Sequence, residues 1–456
     1  MKLRKWATVG ATALAALLLA ACGSSSSKDS KVTTVKVAWR SLGKGDSMYR
    51  VYSKAWIANF EKKHPDIKIE LQPISATEGD YFSKLDLAMK SADTTPDIVN
   101  EDTFILPADA KAGYLTDLGP YVKNWSDWKN FTAALKKGSQ GSDGKQYGIP
   151  GTTDARGLWT NLSVTKKAGL SSTWAPKNWN DILSAAKKIK KADSSSIPFA
   201  MGVSTTNGES VAMQTYEMLL YGTGETLYNE STKKWNINSQ GILDSLNFIN
   251  SVYNKDKTGP SLSIAMNSNY GSTIFQDKFP KGQVGMALDG SWNTGNWTKD
   301  GVAPVSNMTK KFAFNLMPTQ TGKSSDNPGY LTMAGGWTWA VPAKSKNRKA
   351  AITVLKAMNT EKLAVKRAVQ EGTLTVRDDA AKDPEYLKKP FIKEASVALK
   401  NAYFRPKNDL YPKVSVAIQK MVEDVATAQK TPQQAAAKYA TDVKGIVGAG
   451  NTYTEK

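Results

Sequence analysis

Polar and apolar residues alternate in short runs near the start of the chain, and helical patterns separate these runs. Residues 34–39 and 67–71 alternate with a period of two, as strands do. Between them, apolar residues at 48–60 recur at spacings of three and four, which predicts one helix that ends before Pro65. The chain therefore begins its folded part as strand, helix and strand.

This alternation continues through a helical pattern at residues 80–91 and a short apolar strand at 96–99. Strands that alternate with helices predict an α/β unit with a mainly parallel sheet. Two more strand patterns follow farther along the chain, at residues 284–288 and 312–316.

Helical patterns dominate the rest of the chain, and several carry end signals. Asn178 and Ser239 are predicted N-caps, and Gly372 is a predicted stop. Thr431 precedes Pro432 and stands three residues before Gln434, which predicts a capping box. The remaining predicted helices are 347–359, 361–371 and 414–428.

The N-terminus has the pattern of a secretory signal peptide at residues 1–21, with positive residues followed by an apolar run too short to span a bilayer. Leu19-Ala20-Ala21-Cys22 resembles the bacterial lipobox, whose cysteine takes a lipid. The alternative is a cysteine that merely follows a signal peptide. Residues 22–31 then form a lipidated flexible tether, which predicts a body anchored to the outer face of the bacterial cell membrane.

Composition excludes several kinds of protein. Removing the signal peptide lowers the formal charge from +20 to +17, and the lysines are scattered along helices, which argues against a nucleic-acid partner and suits an anionic cell envelope. Cys22 is the only cysteine, so no internal disulfide forms. The single histidine, His64, precedes a proline at a helix end, so His and Cys clusters for zinc and serine–histidine catalysis are excluded. A calcium site built from oxygen ligands stays open.

Seven segments, in order along the chain, resemble the extracellular solute-binding proteins of ABC sugar importers, the branch with maltodextrin- and multiple-sugar-binding proteins. They are residues 60–67 (FEKKHPDI), 95–99 (TPDIV), 113–118 (GYLTDL), 143–150 (DGKQYGIP), 158–161 (LWTN), 282–292 (GQVGMALDGSW) and 335–342 (GGWTWAVP). No single segment is specific to this family, but seven segments in the family's order, behind a lipobox, are a specific signal. The match is weak after Gly372.

The resemblance implies an α/β fold of two lobes, joined by hinge strands, with the ligand in the cleft between them. We expect lobe 1 to comprise residues 32–150 and 321–361, and lobe 2 to comprise 151–320 and 362–456. It also implies an oligosaccharide ligand, an ABC permease with its cytoplasmic ATPase as partner, no cofactor, no metal and no enzymatic activity. A monomer is expected.

A sugar cleft needs aromatic rings for the apolar faces of the sugar and charged or amide groups for its hydroxyls. Twelve of the thirteen tryptophans lie outside the signal peptide, and Trp292 follows a turn that would lift its ring out of the sheet. Polar candidates stand at strand ends, where open α/β sheets bind ligands. The predicted ligand-binding residues are Trp39, Arg40, Glu101, Asp102, Asp154, Arg156, Asp289, Trp292, Trp337, Trp339 and Arg377. Tyr403, Phe404 and Arg405 are predicted to close the far end of the cleft.

Two other kinds of function stay open at this point. A glycan-active enzyme needs two carboxylates across the sugar, and no motif pairs them. Binding of an anionic sugar, a peptide or a polyamine is the other alternative. The tryptophan-rich segments favour a neutral oligosaccharide over these.

Overall fold

The structure is a computed structural model that describes residues 32–41, 46–325 and 327–455. The predicted signal peptide, the tether and Cys22 lie outside the described residues. The described chain contains fifteen strands, numbered β1–β15 in chain order: Thr33–Ser41, Ile67–Ser75, Ile98–Asp102, Gly148–Pro150, Arg156–Asn161, Ile197–Ala200, Tyr228–Asn229, Lys234–Asn238, Val284–Gly290, Phe312–Asn315, Met317–Pro318, Tyr330–Ala334, Trp337–Ala340, Ala402–Phe404 and Thr452–Thr454.

Twenty α-helices accompany them in the described residues, numbered α1–α20: Met48–Val51, Lys54–Lys63, Glu78–Met89, Leu106–Lys111, Gly119–Val122, Ala133–Gly138, Leu162–Lys167, Trp179–Ala192, Met218–Leu220, Gln240–Asn250, Leu262–Ala265, Tyr270–Ser272, Asn293–Trp297, Met308–Lys311, Arg348–Met358, Glu361–Glu371, Pro384–Leu387, Ile392–Ala398, Tyr411–Ala426 and Pro432–Val447. Three segments are π-helical: Val211–Glu217, Ser251–Lys255 and Thr273–Lys278.

The first large sheet has the strand order β2-β1-β3-β13-β4. Strand β1 pairs in parallel with β2 and β3, as the alternating pattern predicts. Strand β13, in contrast, lies antiparallel between β3 and β4, so the sheet is mixed at this edge. Because β13 comes from more than two hundred residues later in the chain, local patterns do not predict its place.

The second large sheet has the order β10-β5-β9-β6. Strand β5 is antiparallel to both neighbours, while β6 and β9 are parallel. A small third sheet, β11-β12-β14, lies on the path from β10 to β13. The lobe boundaries expected from the sequence stay a prediction.

The chain passes from β12 to β13 through Gly335 and Gly336, where two backbone segments come very close. Gly336 has a φ of +143°, and a Cβ placed there would lie 2.0 Å from the carbonyl oxygen of Thr152. The hydroxyl of Thr153 donates to the Gly335 carbonyl over 2.8 Å. Only glycine fits this crossing, because it has no Cβ and tolerates a positive φ.

The predicted helix at residues 48–60 is wrong in one respect, because the structure divides it into α1 and α2. The break falls at Tyr52 and Ser53, and the Ser53 side chain accepts a hydrogen bond from the backbone N–H of Trp56. Serine favours an N-cap over a helix interior because its oxygen satisfies a free backbone N–H.

The other end signals are confirmed. Asn178, Ser239 and Thr431 accept hydrogen bonds from backbone N–H groups in the first turns of α8, α10 and α20. Gly372 ends α16 with a φ of +74°. Within the part of the chain that is described, no helix has the length and apolar character needed to cross a membrane.

The Thr431 capping box can be tested by substitution. Thr431→Ala should lower the free energy of unfolding by about 1 kcal/mol, because a backbone N–H at the start of α20 loses its acceptor. Thr441→Ala, at an exposed position in the same helix, is the control and should change it by no more than about 0.5 kcal/mol. Urea unfolding measures both, and equal effects would contradict a stabilising cap.

Candidate binding site between the two large sheets

Five of the predicted polar residues stand where strands of the two large sheets begin or end. Arg40 and Asp102 lie at the carboxyl ends of β1 and β3, in the first sheet. Asp154 and Arg156 lie at the start of β5, and Asp289 at the end of the neighbouring β9. Since β5 and β9 are antiparallel, the start of one meets the end of the other, which brings these three together.

Trp292 joins this group directly after β9. The Arg156 guanidinium lies 4.8 Å from the centre of its ring, in a cation–π contact. A Cβ at Gly290 would lie 1.8 Å from a ring carbon of Trp292, so glycine is required for the ring to lie where it does. The ring is half-buried, in contrast to a core tryptophan such as Trp159.

Arg156 is buried, and two groups fix its orientation. Its guanidinium donates to the Asp154 carboxylate and, over 3.2 Å, to the carbonyl oxygen of Met333 in β12. Asp154 also accepts a hydrogen bond from the backbone N–H of Gly335 over 3.2 Å. The crossing between the sheets therefore holds the Asp154–Arg156 pair.

Arg40 pairs with Glu78 at the start of α3, over 3.0 Å. Burial raises the pKa of Glu78, while the charges of Arg40, Arg405 and Arg156 oppose that rise. Three arginines from separate parts of the chain thus act on one carboxyl group.

Arg405 connects the carboxyl end of β3 with the segment that precedes the first π-helix. Its guanidinium donates to Asp102, at the end of β3, over 2.5 Å, and to Glu209, just before the π-helical segment, over 3.3 Å. It also lies 5.1 Å from the centre of the Phe104 ring. Burial alone would lower the pKa of Arg405, but the Asp102 and Glu209 carboxylates raise it above its usual value. Arg405 thus forms an ion-paired bridge between Asp102 and Glu209, and its place at the far end of a cleft stays a prediction.

Behind Arg405, the hydroxyl of Tyr411 lies 2.6 Å from Glu209 and 2.5 Å from Glu217. A tyrosine has one proton to donate, so one of the two carboxyl groups must supply the other hydrogen bond. Burial and the nearby Glu209 charge raise the pKa of Glu217 to about 8. Glu217 thus keeps a proton to higher pH than an exposed glutamate does, and the Tyr411 hydroxyl lies within hydrogen-bond distance of both carboxyl groups.

The pKa of Asp289 lies close to neutral pH. Burial raises its pKa to about 7, against the lowering effect of the Gly290 N–H and of Arg156. Its carboxyl oxygen accepts from the backbone N–H of Gly290 over 2.6 Å.

Trp337 lies directly opposite Asp102 in the pairing of β13 with β3. Its ring stacks on Phe82 with a centroid distance of 5.8 Å and an interplanar angle of 14°. Tyr81 contacts it edge-on at 6.0 Å. The ring is half-buried, so one part stays accessible.

Four predicted ligand-binding residues are buried among other groups of the fold. Trp39 and Trp339 are 1% and 0% exposed and lie in the core of the first sheet. Arg377 is 2% exposed and pairs with Asp127 and Asp379, away from the other candidates. Glu101 is 0% exposed, because the residue next to Asp102 points to the opposite face of the strand. These four side chains are buried in the described conformation, and their role in ligand binding stays a prediction.

We therefore define the interlobe cluster as Arg40, Glu78, Asp102, Asp154, Arg156, Glu209, Asp289, Trp292 and Arg405. Glu78 and Glu209 have no motif in the sequence that marks them. Their only signal would have been the need of buried arginines for carboxylate partners.

Two cavities lie outside the interlobe cluster. One of about 770 Å³ is bordered by Phe314, Tyr330 and Lys393, and one of about 370 Å³ by Lys190, Lys257 and Lys278. Neither contains a cluster residue. Among the described residues, no group of three or more His, Cys, Asp or Glu side chains could hold a metal ion.

The interlobe cluster offers an aromatic ring together with fixed donors and acceptors. Arg156 and Arg405 are each held by carboxylates, so their remaining N–H groups have fixed directions. Such an arrangement can bind a polar ligand with an apolar face, by stacking and by hydrogen bonds.

Comparisons with known proteins identify the family and the fold of the chain. The sequence profile of the bacterial extracellular solute-binding proteins matches residues 43–365. A binding protein of Brucella abortus is 27% identical over 268 residues, which are 58% of this chain and 59% of that protein, so the chain spans about three fifths of the length of the first curated relatives it matches. The arabinooligosaccharide-binding protein of Bacillus subtilis is 23% identical over 73% of this chain and 71% of its own length.

Solved structures match over 91% of the chain. An ABC transporter solute-binding protein of Thermotoga lettingae, bound to α-D-tagatose, has a TM-score of 0.78 at 24% identity, and all of that chain is covered. The maltose-bound MalE3 of T. maritima has a TM-score of 0.76 at 21% identity, again with all of its chain covered. These likenesses establish the two-lobe α/β fold.

The resemblance first indicated by the seven sequence segments is thus confirmed, since the matching profile covers well over half of the chain. The chain belongs to the family of bacterial extracellular solute-binding proteins.

Proposed function

We propose that this protein captures a neutral oligosaccharide outside the cell and delivers it to the permease of an ABC importer, whose cytoplasmic ATPase drives uptake. Family membership supports a binding role. Two relatives are named for oligosaccharides, the arabinooligosaccharide-binding protein of Bacillus subtilis and a maltooligosaccharide ABC transporter lipoprotein of Streptococcus pneumoniae.

One observation carries the proposal: a half-buried tryptophan, Trp292, lies among fixed arginines and carboxylates at strand ends of both sheets. A sugar ring has an apolar face that stacks on an indole and a rim of hydroxyls that need both donors and acceptors. The paired charges of the cluster supply both kinds of group without leaving an unpaired charge buried.

The Asp102–Arg405–Glu209 bridge suggests how binding would be linked to lobe movement. In the described conformation, these three groups connect the end of β3 directly with the segments that carry Glu209 and Arg405. A ligand that replaces these contacts with its own would bind most tightly when both lobes touch it. Binding would then shift the population toward the closed form, which the permease recognises.

A binding role without catalysis fits the cluster best. Retaining and inverting glycosidases place two carboxyl groups on opposite sides of one sugar bond. Here Asp102, Asp154 and Glu209 are instead each engaged by an arginine. Each arginine of the cluster is already paired with a carboxylate, which favours a neutral ligand over an anionic sugar.

The proposal includes a monomer that a lipid on Cys22 anchors to the outer face of the membrane. The lipobox-like segment and the streptococcal relative, which is named a lipoprotein, support this.

A thermal-shift screen of the protein from Ser24 onward tests the ligand class. Neutral oligosaccharides, uronates, peptides and polyamines are compared. A ligand at a hundred times its dissociation constant should add roughly 2.7 kcal/mol of stability, which gives a clear rise in melting temperature. We expect the rise with a neutral oligosaccharide that is recovered uncleaved. A rise with charged ligands alone would contradict the neutral sugar, and a hydrolysed sugar would contradict a pure binding role.

Trp292→Ala should weaken binding of that oligosaccharide by about 1–3 kcal/mol, because the stacking surface is lost. Trp128→Ala is the matched control: Trp128 is also half-buried, but it packs on Trp125 and Phe131, away from the cluster. Isothermal titration calorimetry measures both affinities. Unchanged affinity in a folded Trp292→Ala protein would mean that the ring only packs against Arg156.

Cys22→Ser should move the protein from the membrane fraction to the medium and abolish labelling by radioactive palmitate, because no thiol remains to take the lipid. Ser24→Ala, two residues away, is the control and should stay membrane-bound. Palmitate label on the Cys22→Ser protein would contradict an anchor at this residue.

A further inference from the structure

Three carboxyl groups meet beneath the interlobe cluster, on the opposite face of β3. Glu101 is 0% exposed, and neither of its oxygens accepts a hydrogen bond from a donor in the described residues. One oxygen of Asp109, which is 3% exposed, is unpartnered in the same way, and so is one oxygen of the half-buried Asp86. Glu101 is on β3, Asp109 on α4 and Asp86 on α3.

The neighbouring elements bring little positive charge to this place. From α3, Tyr81 faces Glu101, but its hydroxyl donates to the Asn100 carbonyl over 2.6 Å. The charge of Lys90, just after α3, lowers the pKa of Asp86. From β13, Thr338 stands directly opposite Glu101 in the register. On β3 itself, the next residue is the acid Asp102, whose charge raises the pKa of Glu101 further. The charge of Arg40 lowers the pKa of the neighbouring Tyr81.

Carboxylates in such surroundings cannot all be ionised. A buried charge without a partner or a donor is strongly unfavourable, and a proton between two carboxyl groups removes one charge and provides a hydrogen bond. Burial, then the charges of Asp109 and Asp86, raise the pKa of Glu101 well above its usual value. Burial and the charge of Asp86 raise the pKa of Asp109 to about 8, while a hydrogen bond from Glu101 opposes that rise. The protonated Glu101 is thus the donor and Asp109 the acceptor.

The two residues flank the turn that reaches the interlobe cluster. Glu101 precedes Asp102 and Phe104, and Asp109 follows them on the first turn of α4. Asp102 pairs with Arg405, and the Phe104 ring lies under the Arg405 guanidinium. A hydrogen bond between Glu101 and Asp109 therefore closes this turn at its base.

We propose that Glu101 keeps its proton at neutral pH and shares it with Asp109 in a hydrogen bond, and that this hydrogen bond holds the turn carrying Asp102 and Phe104 against Arg405. Both are positioning residues, and the pair makes the fold sensitive to alkaline pH. The inference concerns the ligand-free protein and does not depend on the ligand proposed above.

The direction of the pH effect follows from the raised pKa values. The folded protein keeps a proton that the unfolded chain releases above about pH 4. The stabilisation from the pair is thus fully present below about pH 4 and declines as pH rises. The part that depends on Asp109 is lost above its folded-state pKa of about 8, and the part that depends on Glu101 declines further.

The test compares melting temperatures of the native protein and of Glu101→Gln at about pH 5 and about pH 9. The glutamine amide donates to Asp109 without a proton to lose. The melting temperature of Glu101→Gln relative to the native protein should therefore rise by about 3 °C or more between the two pH values. Asp109→Asn, which removes the other acid of the pair, should show the same relative rise, so the test stands even where one variant does not fold.

Asp97→Asn is the matched control in the same sheet. Asp97 is 3% exposed, but it accepts hydrogen bonds from Lys36, Ser345 and Asn347. Its substitution should lower the melting temperature by a similar amount at both pH values. Parallel pH trends in the native protein and in both pair variants would overturn the shared proton.

Discussion

The crossing of backbone segments at Gly335 and Gly336 is the constraint on which the rest of the structure depends. There β12 leaves the third sheet and β13 enters the first, while the Thr152–Thr153 segment passes at a distance that excludes any side chain. The Gly335 N–H binds Asp154 and its carbonyl binds Thr153. The positions of both large sheets, and of the Asp154–Arg156 pair between them, therefore follow from this crossing.

Near the Gly335–Gly336 crossing, buried arginines are paired with carboxylates. Arg156 is held by Asp154, and Arg405 by Asp102 and Glu209. Removing one partner of such a pair leaves the other charge buried and costs about 3–5 kcal/mol, whereas the intact pair contributes little to net stability. The main effect of these pairs is to fix the directions of hydrogen-bond donors and acceptors. Recognition of a hydroxyl-rich ligand requires such fixed directions.

Family membership and ligand identity rest on different evidence. The fold is shared with proteins that hold tagatose and maltose in their solved structures, yet fold alone does not determine which solute is bound. Selectivity must come from the cluster residues themselves. In this chain, two consecutive residues of β3 point to opposite faces of the strand. Asp102 faces Arg405, and Glu101 faces the acids of α3 and α4.

Local patterns in the sequence determined many of the longer elements. Strand alternation, helix caps such as Thr431 and the stop at Gly372 depend on neighbouring residues alone, so they could be predicted. Strand ends also indicated Arg40, Asp102, Arg156, Asp289 and Trp292. Tertiary structure alone decided the rest. It placed β13 between β3 and β4, put Trp39 and Trp339 in the core, and brought Arg405 to Asp102 across three hundred residues. The direction in which a side chain points depends on what packs on each face of its strand, and that is fixed by long-range pairing rather than by local sequence.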